Sequence, residues 1–222
     1  MVRLIDVIKK YEINENESVV ALDKINLEIK EGQVVVLRGS SGSGKSTILS
    51  LIAALSKPTS GEVLVGEDRV SKLPDNFASE YRRHFIGFVF QKYNLIPTLS
   101  VEDNIILPLV PMNLSEDEIK AKLLRVLRMF NIEHKSKQLV KNLSGGEQQR
   151  VAIARANINN PKIILADEPT ANLDEKLSLS FIEIIKELKN EGKTIIIATH
   201  DPLFFGLETV DVEIEIYQGK II

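Results

Sequence analysis

Gly39-Ser40-Ser41-Gly42-Ser43-Gly44-Lys45-Ser46 confines this chain more tightly than any other stretch of it. Its glycines admit backbone angles and close approaches that a Cβ forbids. The apolar run Val34-Val35-Val36-Leu37 before it predicts a buried strand, and Ser46-Thr47-Ile48-Leu49-Ser50-Leu51-Ile52 after it predicts a packed helix. A glycine-rich loop between strand and helix turns successive N–H groups toward one point at a helix N-terminus, which is a receptor for phosphate. On that reading Gly39, Ser40, Ser41, Gly42, Ser43, Gly44, Lys45, Ser46 and Thr47 bind a nucleotide, Lys45 reaching its β and γ phosphates and Ser46 placing a hydroxyl on magnesium. The alternative, a flexible Gly/Ser linker with an incidental lysine, sits poorly with those flanks.

A second segment, Ile163-Ile164-Leu165-Ala166-Asp167-Glu168, has four apolar residues ahead of two carboxylates. That is the pattern of a central parallel strand carrying its polar groups at the carboxyl end. Asp167 is then placed to organise magnesium and its waters. Glu168, one residue on, points elsewhere and accepts a proton from an attacking water. Alone, the segment also reads as an ordinary strand running into an acidic turn at Pro169. Beside a phosphate loop, it reads as the hydrolytic half of a site.

Leu143-Ser144-Gly145-Gly146-Glu147-Gln148-Gln149-Arg150 opens a third element. Ser144 with Glu147 three residues later is a capping box for the helix that continues through Val151, Ala152, Ile153 and Ala154. Two consecutive glycines in a first helical turn cost ~1 kcal/mol each relative to alanine. Bare amides and a serine hydroxyl at a helix N-terminus form a second phosphate receptor on the same chain.

With these residues the chain resembles the ATP-binding subunit of ATP-binding-cassette transporters over essentially all of its 222 residues. The resemblance implies that Ser144, Gly145, Gly146 and Gln148 touch ATP bound to the opposite subunit. It implies that Gln91, after Phe88-Val89-Phe90, links magnesium and water to a membrane partner, so that Ser46, Gln91 and Asp167 form the metal set. Ala171-Asn172-Leu173-Asp174 resembles the loop that joins two subunits, and His200, in Ile195-Ile196-Ile197-Ala198-Thr199-His200-Asp201, resembles the switch histidine near the γ-phosphate. The catalytic residues are then Glu168, His200 and Gln91, and Tyr11 lies where the family often stacks an aromatic ring on adenine. Taken singly, His200 reads as a structural cap of a strand end, Gln91 as a solvated loop residue and Tyr11 as packing.

Within the family, Phe90-Gln91-Lys92-Tyr93-Asn94-Leu95-Ile96-Pro97, Val101-Glu102-Asp103-Asn104 and Leu107-Pro108-Leu109 are similar to the branch of lipoprotein-release and macrolide-export ATPases, which also holds a cell-division ATPase. The resemblance implies an ATPase that uses ATP and Mg2+, dimerises head to tail with a second copy of itself and drives an integral membrane permease subunit. The outcome is export, lipoprotein release or mechanotransmission. The implied location is cytoplasmic, peripheral at the inner face of the cell membrane. Tyr93, Leu95, Ile96 and Leu99 read as an exposed apolar groove for a helix of that subunit, or as side chains packed beneath the insert. The alternatives are a cell-division or DNA-maintenance ATP switch, a translation factor, or a stand-alone ATP-binding switch. DNA-maintenance relatives insert long coiled coils between the two halves of the site, and no sustained heptads lie here. Translation-factor relatives carry two cassettes, and Glu168 argues for turnover rather than a switch alone.

Apolar residues make up 44% of the chain, enough to bury one large core. A net charge of −3 with mixed signs leaves no basic footprint for nucleic acid. The absence of cysteine removes disulfides, zinc–thiolate sites and thiol catalysis. No apolar stretch approaches ~18 residues and the start has no signal-peptide layout, so membrane attachment is expected through a partner. Strands are predicted over 2–8, 19–29, 33–38, 62–65, 162–167 and 194–199, with turns at Asn14-Glu15-Asn16-Glu17 and Lys57-Pro58-Thr59-Ser60-Gly61. Ser115 and Glu118 cap a helix whose Ile119, Leu123, Leu127 and Phe130 share a face, and a later helix turns Leu177, Phe181, Ile184 and Leu188 inward. The expected fold is α/β, a phosphate-loop NTPase core with a mostly parallel sheet, an antiparallel β subdomain and a mainly helical insert. It forms one nucleotide-binding domain over 1–222, with a RecA-like and β lobe at 1–91 and 159–222 and a helical lobe at 92–158.

Overall fold

A computed structural model describes residues 1–222 apart from Glu15, Asn16 and Asn172. The chain opens with β1 (Val2–Asn14), β2 (Glu17–Ile29) and β3 (Val34–Arg38), then α1 (Lys45–Ile52), β4 (Ser60–Val65), α2 (Asp75–Phe85) and β5 (Ile86–Val89). Helices α3 (Val101–Ile106), α4 (Glu116–Met129) and α5 (Gly145–Asn157) follow. The chain closes with β6 (Ile163–Asp167), α6 (Glu175–Asn190), β7 (Thr194–Thr199), β8 (Val212–Tyr217) and β9 (Lys220–Ile221). Antiparallel pairing places β1 between β2 and β4. A six-stranded sheet has the order β5-β6-β7-β3-β8-β9, parallel except at its β8–β9 edge.

Continuous apolar runs make the central strands because both faces of the larger sheet are covered. Side chains alternate between those faces. Val34 and Val36 of β3, Ile164 and Ala166 of β6, and Ile195 and Ile197 of β7 enter one core with Val126, Phe130, Val151, Ile153, Phe181 and Leu188 from the helices. Their neighbours Val35, Leu37, Ile163, Leu165, Ile196 and Ala198 enter a second core with Ile48, Leu49 and Ile52 of α1 and with Val2, Leu4, Leu22 and Val63 of the antiparallel sheet. One sheet therefore welds three layers together, and the chain has the α/β class and subdomains that the sequence predicts.

The elements differ from expectation at their ends. Strand β1 runs six residues past 2–8 and β2 begins two residues before 19–29, because antiparallel pairing carries them through exposed residues with little apolar signal. Helix α2 precedes the expected helical insert and was invisible to periodicity, since it buries only Ala78 and Tyr81. Strand β8 was missed for a similar reason: its alternating Glu213 and Glu215 are half-buried and pair with Arg38. In α4, Leu127 and Phe130 enter the core while Ile119 and Leu123 pack at its margin. Capping boxes form at Ser100, Ser115 and Ser144. Among the described residues no helix is long and apolar enough to cross a membrane.

Tyr93 corrects the expectation of an exposed apolar groove. It is 7% exposed, and Leu95 packs against the helical core. Only Ile96 of the four residues is largely exposed, Leu99 being half-buried.

Phe181 of α6 is buried and meets Phe204 edge-on at 6.1 Å between centroids. Phe181→Ala is expected to lower the free energy of unfolding by about 3–5 kcal/mol, through lost transfer energy and the cavity left behind. Urea titration followed by circular dichroism measures this, with the m-value unchanged.

Candidate active site

The carboxyl ends of β3, β7 and β6 lie side by side, with Arg38 paired to Thr199 and Ala198 to Asp167. Every central element of the site leaves the sheet at that edge. Gly39 follows β3 at φ 151°, and a Cβ there would stand 2.2 Å from Ile216 O of β8. Gly44, at φ 112°, would place one 2.7 Å from Ala21 O and from Leu22 Cδ2. Strands β2 and β8 thus press on the loop from behind, and only glycine permits the contact. Gly42 has φ 77° and open space where its Cβ would be.

Helix α1 begins at Lys45 with no side-chain cap and no acidic residue in its first turn. Its first N–H groups are left for an anion. Ser43 Oγ is buried without a hydrogen-bond partner, a donor that a phosphate oxygen satisfies. These features fit a nucleoside triphosphate. Ser40, Ser41 and Ser46 are exposed and Thr47 is half-buried.

Lys45 is 4% exposed, and its Nζ donates to Gly39 O at 2.7 Å and Ser40 O at 3.0 Å. It also stands 3.5 Å from Glu168 Oε1. Ser46 Oγ donates to Asp167 Oδ1 at 2.7 Å. Consecutive residues of α1 therefore meet consecutive carboxylates after β6. A regular strand would send Asp167 and Glu168 to opposite faces; Glu168 instead has φ 45°, which turns its side chain back toward the loop. Expectation had the two carboxylates diverging, whereas both face the phosphate loop.

Glu168 is held from the end of β7. Its N–H donates to Ala198 O at 2.8 Å, and its carboxylate accepts from Thr199 Oγ1 at 3.2 Å and His200 N–H at 3.4 Å. His200 Nδ1 lies 3.0 Å from the same carboxylate, with the imidazole largely exposed. Burial raises the Asp167 carboxyl above the usual aspartate range, and the adjacent Glu168 charge adds to this, against the Ser46 bond and the Lys45 charge. Ser46 and Asp167 together offer hydroxyl and carboxylate oxygens, the donor chemistry that suits a small hard cation.

Tyr11 is exposed on β1, pairs with Val19 and carries Lys9 Nζ 4.9 Å from its ring centroid. Its partner Val19 lies two residues along β2 from Ala21, whose carbonyl backs the phosphate loop at Gly44. Gln91 is exposed just past the carboxyl end of β5, the neighbour of β6. Ser144 caps α5, accepting from Glu147 N–H at 3.4 Å while its own N–H donates to Glu147 Oε2 at 2.8 Å. Ser144 and Gly145 are exposed; Gly146 is buried because Leu177 of α6 lies where its Cβ would go. Gly146 thus has a packing reason within its own chain. Gln148 donates to Leu143 O at 3.1 Å. Among the described residues no hydrogen bond or ion pair joins Ser144, Gly145, Gly146 or Gln148 to residues 39–47. Ala171 is exposed, Leu173 half-buried, and Asp174 caps α6 through Leu177 N–H at 2.9 Å. Asn172 lies outside the described residues.

Sequence reasoning missed three supporting residues. Thr199, fully buried, bonds Glu168; Thr170 Oγ1 donates to Asp201 Oδ2 at 2.7 Å; and Gln149 donates to Pro169 O at 2.8 Å. Thr199 was signalled only by its place before His200. The other two join segments far apart in sequence and gave no local sign.

A glycine loop between strand and helix, facing an Asp-Glu pair at the end of a parallel strand two places away in the sheet, defines the site of a phosphate-loop nucleoside triphosphatase. A family profile described as ABC transporter matches residues 22–171. An uncharacterized ABC transporter ATP-binding protein of Methanocaldococcus jannaschii, MJ0796, is 46% identical over 210 residues, covering 90% of this chain and 87% of that one. The macrolide export ATP-binding/permease protein MacB of Chlorobium luteolum is 42% identical over 201 residues, covering 90% of this chain and 30% of that protein. The dimeric structure of a post-hydrolysis state of the ATP-binding cassette MJ0796 bound to ADP and Pi matches with a TM-score of 0.91 at 42% identity, over 100% of this chain and 96% of that one. The chain belongs to the ABC transporter family, as an ATP-binding and ATP-hydrolysing subunit.

Two glycine substitutions separate folding from binding. Gly39→Ala, which drives a Cβ into Ile216 O, is expected to lower the melting temperature by several degrees and to remove stabilisation by MgATP. Gly42→Ala is expected to cost only about 1 kcal/mol of stability yet to weaken nucleotide binding at least tenfold. Thermal unfolding with and without MgATP reads both.

Proposed function

We propose that two copies of this chain close head to tail on two molecules of MgATP, and that closing and reopening drive an integral membrane permease subunit. The observation that supports this most is the convergence of Lys45, Ser46, Asp167, Glu168 and His200 on one edge of the sheet. Lys45 exchanges its carbonyl partners, Gly39 and Ser40, for β and γ phosphate oxygens, a charge-assisted contact in a site shielded from water. Ser46 and Asp167, with Gln91, hold Mg2+, which when bound neutralises charge developing on the phosphates.

Drawing Lys45 to phosphate releases Glu168 from its ion pair. Its carboxylate, still aimed by Thr199, is then free to take a proton from the attacking water. His200 keeps Glu168 oriented and senses the γ-phosphate. Ser144, Gly145, Gly146 and Gln148 of one copy complete the site of the other, with Ala171, Leu173 and Asp174 at the contact between copies, and Tyr11 stacks on adenine. MacB joins ATP-binding and permease parts by name, and a permease plays the second part for this chain too, in export, lipoprotein release or mechanotransmission. Its seat puts the chain on the cytoplasmic face of a membrane.

Glu168→Gln is expected to keep MgATP affinity while slowing hydrolysis by roughly 10²–10⁴-fold. The uncleaved nucleotide then holds two copies together, which light scattering coupled to gel filtration detects. Normal turnover, or a monomer at saturating MgATP, defeats the base assignment or the two-copy site respectively.

Ser144→Arg sets bulk and charge at an exposed cap that, among the described residues, makes no hydrogen bond or ion pair with its own phosphate loop. Affinity of the single copy for ATP, by calorimetry, is expected to stay within about threefold while hydrolysis falls at least a hundredfold. Lost affinity in a folded variant assigns Ser144 to its own chain's pocket.

A further inference from the structure

The turn after β5 is built from conformations its residues do not favour. Tyr93 and Asn94 both lie in the left-handed region, at φ 59° and 47°, a state that asparagine tolerates and a bulky aromatic does not. Tyr93 N–H donates to Phe90 O at 2.9 Å and Asn94 N–H to Lys92 O at 2.6 Å, so the backbone coils tightly around Gln91. The carbonyls of Tyr93 and Asn94 are turned toward α5, where one guanidinium takes both. Arg155 Nη1 donates to Asn94 O at 2.6 Å and Nη2 to Tyr93 O.

Three further observations single out this fork. Tyr93 Oη is buried with no hydrogen-bond partner, so the ring is not anchored through its hydroxyl. Gly87 of β5 brings the end of α5 against the strand that leads to Gln91, since a Cβ there would stand 2.4 Å from Ala156 O. Burial draws the Arg155 pKa down, yet a guanidinium stays charged at any working pH. Ser144 caps the other end of the same helix, roughly 16 Å away.

We propose that Arg155 is a positioning residue for Gln91, its two-pronged contact fixing the left-handed Tyr93–Asn94 turn to the helix whose N-terminus is Ser144 and Gly145. Movement of α5 when its N-terminus engages the partner copy's nucleotide is carried along a rigid helix to the Gln91 loop. A lysine does not reproduce the fork, because its rotatable ammonium lacks the planar guanidinium's two donors at fixed spacing and holds the pair of carbonyls less rigidly. The proposal rests on the reading of Gln91 as a site residue.

The test compares Arg155→Lys, Arg155→Gln, Gln91→Ala and the double variant Gln91→Ala/Arg155→Lys. Arg155→Lys is expected to lower kcat by about ten- to a hundredfold with KM for MgATP within about twofold. Amide exchange should quicken at 92–95 and stay unchanged across 149–153 of α5. The double variant should be no slower than Gln91→Ala alone, as expected of two residues acting through one element. Wild-type kcat in Arg155→Lys, rate losses that multiply in the double variant, or faster exchange along all of α5 overturns the proposal. Global unfolding of both Arg155 variants does so too, assigning the residue to stability. If Gln91→Ala itself keeps wild-type kcat, the reading of Gln91 falls and takes this inference with it; an impaired Gln91→Ala beside an intact Arg155→Lys overturns this inference alone.

Discussion

Burying the ammonium of Lys45 is the constraint on which the site depends. A cation taken out of water loses several kcal/mol of solvation unless oxygens converge on it. Gly39 O, Ser40 O and the Glu168 carboxylate supply them. They come from two strands, β3 and β6, that are not neighbours, and β7 spaces them by pairing parallel to both. The order β6-β7-β3 is therefore a condition for holding that charge, and α1 can begin at Lys45 only because Gly44 lets β2 close up behind it. Sheet topology, loop and cation stand or fall together.

Burial and polarity settle how the rest of the site behaves. Asp167 is penalised by desolvation, and Ser46 and Lys45 offset part of that penalty. Glu168 bears backbone strain of about 1–3 kcal/mol in its left-handed conformation, held by Thr199 and the Ala198 carbonyl. That strain does what strand geometry forbids: it brings two adjacent carboxylates to one side. A divalent cation and a water can then be served by neighbouring residues of one segment.

How much of this was legible in the sequence follows from whether the signal was local. The phosphate loop and the Asp167-Glu168 strand were legible because each combines a run of buried apolar residues with residue types that few other arrangements need. The capping boxes at Ser115 and Ser144 were legible for the same reason. Helix α2 was not, since its apolar face is only Ala78 and Tyr81. Tyr93 was read as exposed because a loop aromatic after a strand gives no sign of which way a left-handed turn will send it. Thr170, Asp201 and Gln149 were out of reach because their partners lie about 20 to 30 residues away, and only the folded sheet brings them together. The direction of Glu168 was misjudged because period-two alternation holds only while φ stays extended.

On the proposed function, the resting geometry holds the chemistry of a single chain in check. Glu168 is occupied by Lys45, Thr199 and His200, so its carboxylate is engaged before any water arrives. Lys45 is itself satisfied by loop carbonyls and leaves them only for a stronger acceptor, which the γ-phosphate is. Meanwhile, among the described residues, the exposed cap of α5 makes no hydrogen bond or ion pair with its own phosphate loop, and Leu177 of α6 lies where a Cβ on Gly146 would go. An exposed, capped helix N-terminus of this kind suits the half-site that the proposed function assigns to it. On the proposed function, the completed site requires nucleotide and a second copy at once, and hydrolysis is confined to the closed pair.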